Sequence, residues 1–445
     1  MNTSPAQPTD HLPSHVARRL GLDEDLRVDG GGDWPASVDV LVVGAGPAGS
    51  ACAIELARAG RSVLLVDQHD FPRDKICGEG LIPDAHAALR HLGVLDAVMA
   101  RAQAVAHVRC VAPRGGQVDV PGRLAVLPRQ VLDTLLVQQA QRLGATVRTP
   151  WKFDGLIEAD GRVRGARLRA AGPGTGDGAA PVVREVATRW VVMATGAAVP
   201  ALIKADLCER RTPTGIALRV HVHAPDLADR LTTMDVVWHR ALRPGYGWIF
   251  PCGDGLFNIG VGAFFQRGAT GDGANLNALF EAFTRVHAPA RELMQQARWR
   301  GETKGAPLRC TLRGARLGRP GVLATGEAIG STYDFSGEGI GKAMETGMLA
   351  AACLQAGAPD GTLDTTQDAA VLARYGAAVA ALQPRFDLYE KANQVNHHPW
   401  LADLVIWRAR RSPSVLRRMS GVLEETSNPG NLLSVKGLMR LFSSR

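Results

Sequence analysis

The sequence predicts an α/β chain: a doubly wound domain interrupted by an inserted antiparallel β-sheet domain and followed by a helical C-terminal region. Three observations carry this. An unalternating apolar run, Val38 to Val43, leads into a Gly-rich turn, a helical pattern and a second apolar run. Residues 214 to 265 alternate apolar and polar text around a Gly253-Asp254-Gly255 hairpin signal. From about residue 366 onward helical periodicity dominates. The chain of 445 residues is too long for one simple core and suits two intertwined domains.

In order along the chain, residues 1–37 are rich in Pro, Ser and Asp and read as a flexible tail with one short helix. Val38 to Val43 is a strand buried on both faces, as in a parallel sheet. Pro47 to Ala59 is a helix closed by Gly60, and Ser62 to Val66 the next strand, completing a βαβ unit. Val131, Leu132, Leu135, Leu136 and Leu143 mark a helix over 128–143. Residues 151–194 are short strands broken by a turn at Gly172 to Gly178, and 214–265 form antiparallel sheet. A strand at 321–325 and a long helix over about 338–356 return to the α/β style. The resulting division assigns 38–105, 120–210 and 300–365 to the doubly wound domain. It assigns 106–119 and 211–299 to the β-rich domain, and 366–445 to the helical region.

Composition narrows the function. With 46% hydrophobic and 21% charged residues the chain is globular, not disordered. Seven scattered cysteines without a CxxC pair argue against a disulfide framework or zinc site and fit a cytoplasmic protein. No secretory leader pattern and no apolar run of spanning length is visible. The net charge of +8 suits an anionic cofactor or an anionic membrane surface, and no nucleic-acid-binding signature accompanies it. No GxSxG elbow, HExxH or His/Cys cluster supports hydrolysis or metal chemistry, so no metal is expected.

Gly44-Ala45-Gly46-Pro47-Ala48-Gly49 stands between strand and helix. Its glycines permit a tight turn and close approach to a pyrophosphate, and the helix start supplies free N–H groups. Asp67 ends the next strand, where a carboxylate holds a ribose diol. These residues make a dinucleotide site. Downstream, Ala194-Thr195-Gly196 follows a strand, and Gly326-Glu327-Ala328 follows another and leads to Gly337-Glu338-Gly339-Ile340. This spacing resembles the fingerprint set of FAD enzymes related to p-hydroxybenzoate hydroxylase, whose second motif contacts the ribityl chain. Most of that superfamily has Asp where Glu327 stands and Pro where Asp334 stands. Arg129 falls where the wider family keeps an arginine near the cofactor.

More specific text follows. Asp74-Lys75-Ile76-Cys77-Gly78-Glu79-Gly80-Leu81-Ile82-Pro83 resembles the KxCGxGLxP segment of geranylgeranyl reductases, and Tyr246-Gly247-Trp248-Ile249-Phe250-Pro251 with Gly260-Val261-Gly262 resembles their YxWxFP…GxG signature. The resemblance covers roughly residues 38–350. It implies FAD held by the Gly-rich motifs with Lys75, Gly78, Arg129, Gly196, Gly326, Glu327, Gly337, Gly339 and Ile340. It implies an isoprenoid or other lipid-like substrate against Phe250, Pro251, Gly260 and Gly262, with Cys77, Tyr246 and Trp248 at the chemistry. The expected reaction is reduction of a carbon–carbon double bond, with hydride from the reduced flavin N5 and a proton from Cys77, Tyr246 or a water. Cys252 is a weaker candidate for the same cavity, and the other five cysteines read as packing.

No second strand–GxGxxG–helix unit is present, so electrons are expected from docking NAD(P)H, a separate reductase or a ferredoxin. The apolar and basic text from Trp400 to Arg445 reads either as helices packed on the protein or as a peripheral contact with the inner face of a membrane. The shared fold leaves two alternatives: a flavin-dependent monooxygenase or halogenase, in which Lys75 or another lysine joins the two cavities, and a flavin-binding redox partner or lipid carrier.

Overall fold

A computed structural model describes residues 12–22, 26–171, 182–266, 274–357 and 367–424. It contains two sheets. The first has a parallel core of five strands in the spatial order Val322–Ala324, Val183–Met193, Ser37–Val43, Val63–Val66 and Thr146–Arg148. Val43 pairs with Val66 on one side and Met193 on the other, so the central strand is walled by apolar side chains and reads as a buried hydrophobic run from Val40 to Val43. The expected βαβ unit is present, with its helix at Pro47–Arg58. The long helix Ile340–Ala356 lies against it so closely that a Cβ at Gly347 would meet the Ala48 carbonyl oxygen at 2.1 Å.

The second sheet has nine strands and bends over the first domain. Its centre is Gly215–His223, Leu256–Phe264 and Gly245–Gly253, paired antiparallel as the hairpin signal predicts. Met234–Val237 pairs parallel with Gln103–Val111, a mixed ladder that alternation alone does not reveal. The sheet also takes in Gln117–Val126, Gly80–Leu81 and Lys304–Leu308, so its share of the chain is wider than 106–119 and 211–299.

One expectation changes, and one of two alternatives is met. The helix Ser14–Leu20, within the stretch read as a flexible tail, buries Val16 and Leu20 against the body. Arg19 fixes it by donating to the Cys252 and Arg101 carbonyls and pairing with Asp254 at 2.6 Å. The polar composition of the stretch hides two well-spaced apolar anchors. The C-terminal helices Trp400–Ala409 and Pro413–Leu423 pack on the second sheet, with Leu401, Ala402, Val405 and Ile406 inward. The turn at Gly172 to Gly178 lies outside the described residues. No helix among the described residues is long and apolar enough to cross a membrane.

Candidate active site

One cavity of about 820 Å³ runs between the two sheets. Its first end is the Gly-rich turn. Gly44 has φ +102°, and a Cβ there would lie 2.3 Å from the Ala194 carbonyl oxygen, so only glycine fits. Gly46 caps the helix Pro47–Arg58, whose first turn has no acidic residue and no side-chain cap, leaving its N–H groups to an anion. Gly339 likewise precedes Ile340, so two helix N-termini reach the same cavity. Gly196, at φ +70°, faces open space. The hydroxyls of Thr195 and Ser336, both on the wall, are buried without a protein partner. Glycines against the backbone, free helix starts and orphaned hydroxyls fit a long phosphate- and hydroxyl-bearing cofactor such as FAD.

Of the sequence-predicted residues, Gly44, Gly46, Pro47, Ala48, Asp67, Lys75, Cys77, Gly78, Arg129, Gly196, Glu327, Gly337, Gly339, Ile340, Tyr246, Trp248, Phe250 and Gly262 line this cavity. Four predicted positions stand behind its wall. Gly49 meets the Gly44 carbonyl oxygen, 1.8 Å from where a Cβ would stand, so it serves helix–strand packing. Gly326 approaches Ala48 in the same way, at 2.5 Å. Pro251 falls on the opposite face of its strand because Tyr246, Trp248 and Phe250 alternate toward the cavity. Gly260 lies under the Trp248 ring, 2.3 Å from its hypothetical Cβ, and lets that indole lie across the neighbouring strand.

Charge around the turn is more elaborate than the motif suggests. Asp67 accepts from the Ala45 N–H at 2.9 Å and the His69 N–H at 3.0 Å, so the acid that ends the second strand also braces the glycine turn. Arg129 grips Asp133 through two bonds of 2.7 and 2.8 Å, and Arg73 reaches both Asp67 and Asp133. Burial works against the Arg129 charge, but Asp133 and the neighbouring Cys77 outweigh it and hold the guanidinium above its ordinary pKa. Arg73 and Arg129 thus flank Gly46, and neither Arg73 nor Asp133 belongs to a recognisable motif.

The second end is aromatic. Trp238, Tyr246, Trp248 and Phe250 form a continuous wall, with ring centroids 6.0, 6.3 and 6.4 Å apart, and Phe264 stacks on Tyr246 at 5.6 Å. The Cys77 segment closes against it: a Cβ on Gly78 would touch the Phe250 ring at 3.2 Å. Beyond the aromatics the cavity is lined by Val395, Val405, Ile406, Met419, Val422 and Leu423. The C-terminal helices therefore wall the chamber, which their amphipathic pattern could not specify. Cys110, expected as packing, is on this wall too, its thiol pushed up to about 12 by burial and by Asp119 and Asp235. Cys252 is fully buried and outside the lining.

The comparisons agree with this geometry. An FAD binding domain model matches residues 37–258. The menaquinone reductase of Mycolicibacterium smegmatis is 32% identical over 335 residues, covering 72% of this chain and 76% of that protein. The chain belongs to the geranylgeranyl reductase family of FAD-dependent oxidoreductases. Digeranylgeranylglycerophospholipid reductase 2 of Methanopyrus kandleri is 29% identical over 330 residues, 70% of this chain and 75% of that one. The crystal structure of a geranylgeranyl bacteriochlorophyll reductase-like protein from Thermoplasma acidophilum overlays with a TM-score of 0.65 at 22% identity, over 92% of this chain and 96% of that one. Flavin-dependent halogenases share the fold as well, so the fold leaves the chemistry of this family member open.

The site also contains residues whose roles no motif announces. Glu79 is buried beside Cys77 and meets His221, Asn258 and Cys252 from neighbouring strands. The donor atoms of Glu79, His221 and Cys252 lie within 4.8 Å of one another, a cluster that sequence spacing could not reveal. His221 is bound to the Glu79 carboxylate at 2.7 Å, so the group stands as a hydrogen-bonded polar network.

Proposed function

We propose that this oxidoreductase reduces carbon–carbon double bonds of an isoprenoid or other lipid-like substrate. The observation that carries the reading is that the cofactor cradle and the apolar aromatic chamber are one continuous cavity, with Cys77 at the seam. The two relatives named for an isoprenoid quinone and an isoprenoid lipid support it.

Gly44, Gly46, Pro47, Ala48, Arg129, Gly196 and the turn Gly337–Ile340 would hold FAD. When bound and reduced, FAD supplies hydride to one carbon of a double bond. The protein must then orient the alkene, keep water away and bring a proton to the other carbon. Trp238, Tyr246, Trp248 and Phe250 provide a rigid apolar wall for the first two tasks. For the third we assign Cys77 and not Tyr246. Burial pushes the Tyr246 phenol well up, and its hydroxyl is already given to the Ser336 carbonyl, so Tyr246 is a positioning residue.

The outer face of the helix Trp400–Ala409 supports delivery from an anionic membrane surface. Trp400 and Trp407 are 59% and 43% exposed beside exposed Arg410 and Arg411, while Val405 and Ile406 of the same helix line the chamber. The reductant in this reading is NAD(P)H or a separate reductase or ferredoxin.

The test is a single turnover under nitrogen with dithionite-reduced enzyme and polyprenyl substrates, repeated in air with bromide present. Product formed without oxygen, heavier by one H₂ per double bond, supports the reductase. Product formed only in air and carrying oxygen or halogen sinks it and supports oxygen chemistry. Flavin that never turns over with any substrate supports a carrier.

A further inference from the structure

Glu79 is an expensive residue where it stands. It is 1% exposed and has φ +67°, a left-handed conformation that is unfavourable for a non-glycine residue. Its neighbours Gly78 and Gly80 would take that conformation without cost. A buried carboxylate in a strained backbone persists only if its side chain is needed.

That side chain joins three elements. One oxygen accepts from the Arg129 backbone N–H at 3.1 Å, at the start of the helix Arg129–Arg142. The other accepts from His221 at 2.7 Å and from the Asn258 amide at 2.9 Å, on two strands of the second sheet. Burial opposes the charge, but His221, Arg219 and Asn258 outweigh it and hold the carboxyl below its usual range. Two contacts lead from Glu79 to Cys77. The Glu79 N–H points at the Cys77 sulfur at 3.3 Å, and the Asn258 amide also donates to the Cys77 carbonyl at 2.8 Å. Asn258 in turn accepts the Trp248 indole N–H at 2.8 Å.

We propose that Glu79, itself held by His221, is the positioning residue for Cys77: through Asn258 and its own peptide N–H, it fixes where the thiol stands in the cavity and ties it to the aromatic wall. The role rests on Cys77 as the proton donor. A glutamine at this position cannot serve all three donors. Its one oxygen can accept as before, but its amide nitrogen then confronts an N–H, so Cys77 loses its fixed seat while volume is kept.

The experiment uses FAD-loaded protein and has two arms. The first is the iodoacetamide alkylation rate of Cys77, resolved by peptide mass, with the partly exposed Cys208 as internal reference. Glu79→Gln should change the Cys77 rate about tenfold or more and leave Cys208 alone. The second is a double-mutant cycle on anaerobic turnover. Glu79→Gln and Cys77→Ser should each lower kcat with little change in KM, and the double variant should be no slower than Cys77→Ser alone. An unchanged Cys77 alkylation rate, or kcat losses that multiply, overturns the proposal. If Glu79→Gln loses FAD, Asn258→Leu removes the same anchor from the opposite strand and is read by the same two arms. If Cys77→Ser leaves turnover intact, Cys77 is not the proton donor. The alkylation arm then still decides whether Glu79 seats the thiol.

Discussion

The Tyr246 hydroxyl donates to the backbone carbonyl of Ser336, so a strand of the second sheet props up the turn that begins the long helix of the cofactor domain. The contact is tight: a Cβ on Gly337 would lie 3.0 Å from the same hydroxyl oxygen. The aromatic wall is thus built into the cofactor site, and changes in one are expected to register in the other.

Tyr246→Phe keeps the ring and removes only that bond. A lost hydrogen bond of this kind is worth about 0.5–1.5 kcal/mol, so FAD affinity should fall by several-fold. Titration of apoprotein with FAD, followed by flavin fluorescence, checks it. Unchanged affinity would mean that Ser336 holds its position without the tyrosine.

Trp248→Ala should act on the other side. The indole covers Gly260 and is hydrogen-bonded to Asn258, so its loss opens the chamber wall at a cost of about 3–5 kcal/mol. Turnover should fall much further than flavin content. Equal losses of both would make Trp248 a core residue and not part of a substrate wall.

The purified protein is expected to release FAD, not FMN, on denaturation, as read by chromatography. Gly49→Val should destroy both fold and cofactor binding, because the new side chain collides with the Gly44 carbonyl and not merely with a phosphate. A lowered melting temperature in the apoprotein separates this packing defect from a simple loss of FAD contact.

Asp334 gives a pH dependence. Burial, and secondarily Glu390, raise its carboxyl to about 7, with Asn393 opposing. A folded pKa above the unfolded value means that the native state holds the proton longer. This stability contribution is full in acid and declines as pH rises from about 4 toward 7. Asp334→Asn should therefore raise the melting temperature increasingly between those limits and by a constant amount above them. A pH-independent difference would show that Asp334 does not titrate there.

Membrane contact is tested by sedimentation with vesicles. Trp400→Ala and Trp407→Ala together should reduce binding to anionic vesicles, and added salt should weaken what remains. Equal binding of wild type and double variant would leave these indoles as ordinary exposed surface.

Local text determined much of this protein. The apolar run Val40–Val43 after Val38, the glycines at 44 and 46 and the acid at 67 specify a strand, turn, helix and strand by nearest-neighbour geometry, and the structure has each where it was expected. The alternation of Tyr246, Trp248 and Phe250 likewise specified one face of a strand, and the same alternation, taken strictly, would have removed Pro251 from it. Tertiary structure decided what those faces meet. Glu79 stands at a variable position of the Cys77 segment, and His221 and Asn258 are far from it in the chain and carry no motif, yet the three converge behind Cys77 because Gly215–His223 and Leu256–Phe264 pair beside it. The same holds for Val405 and Leu423, whose helical spacing marks an apolar side without saying that it lines a cavity. Hydrogen-bond valence and close packing are properties of atoms within a few ångströms, and only the folded chain sets those distances.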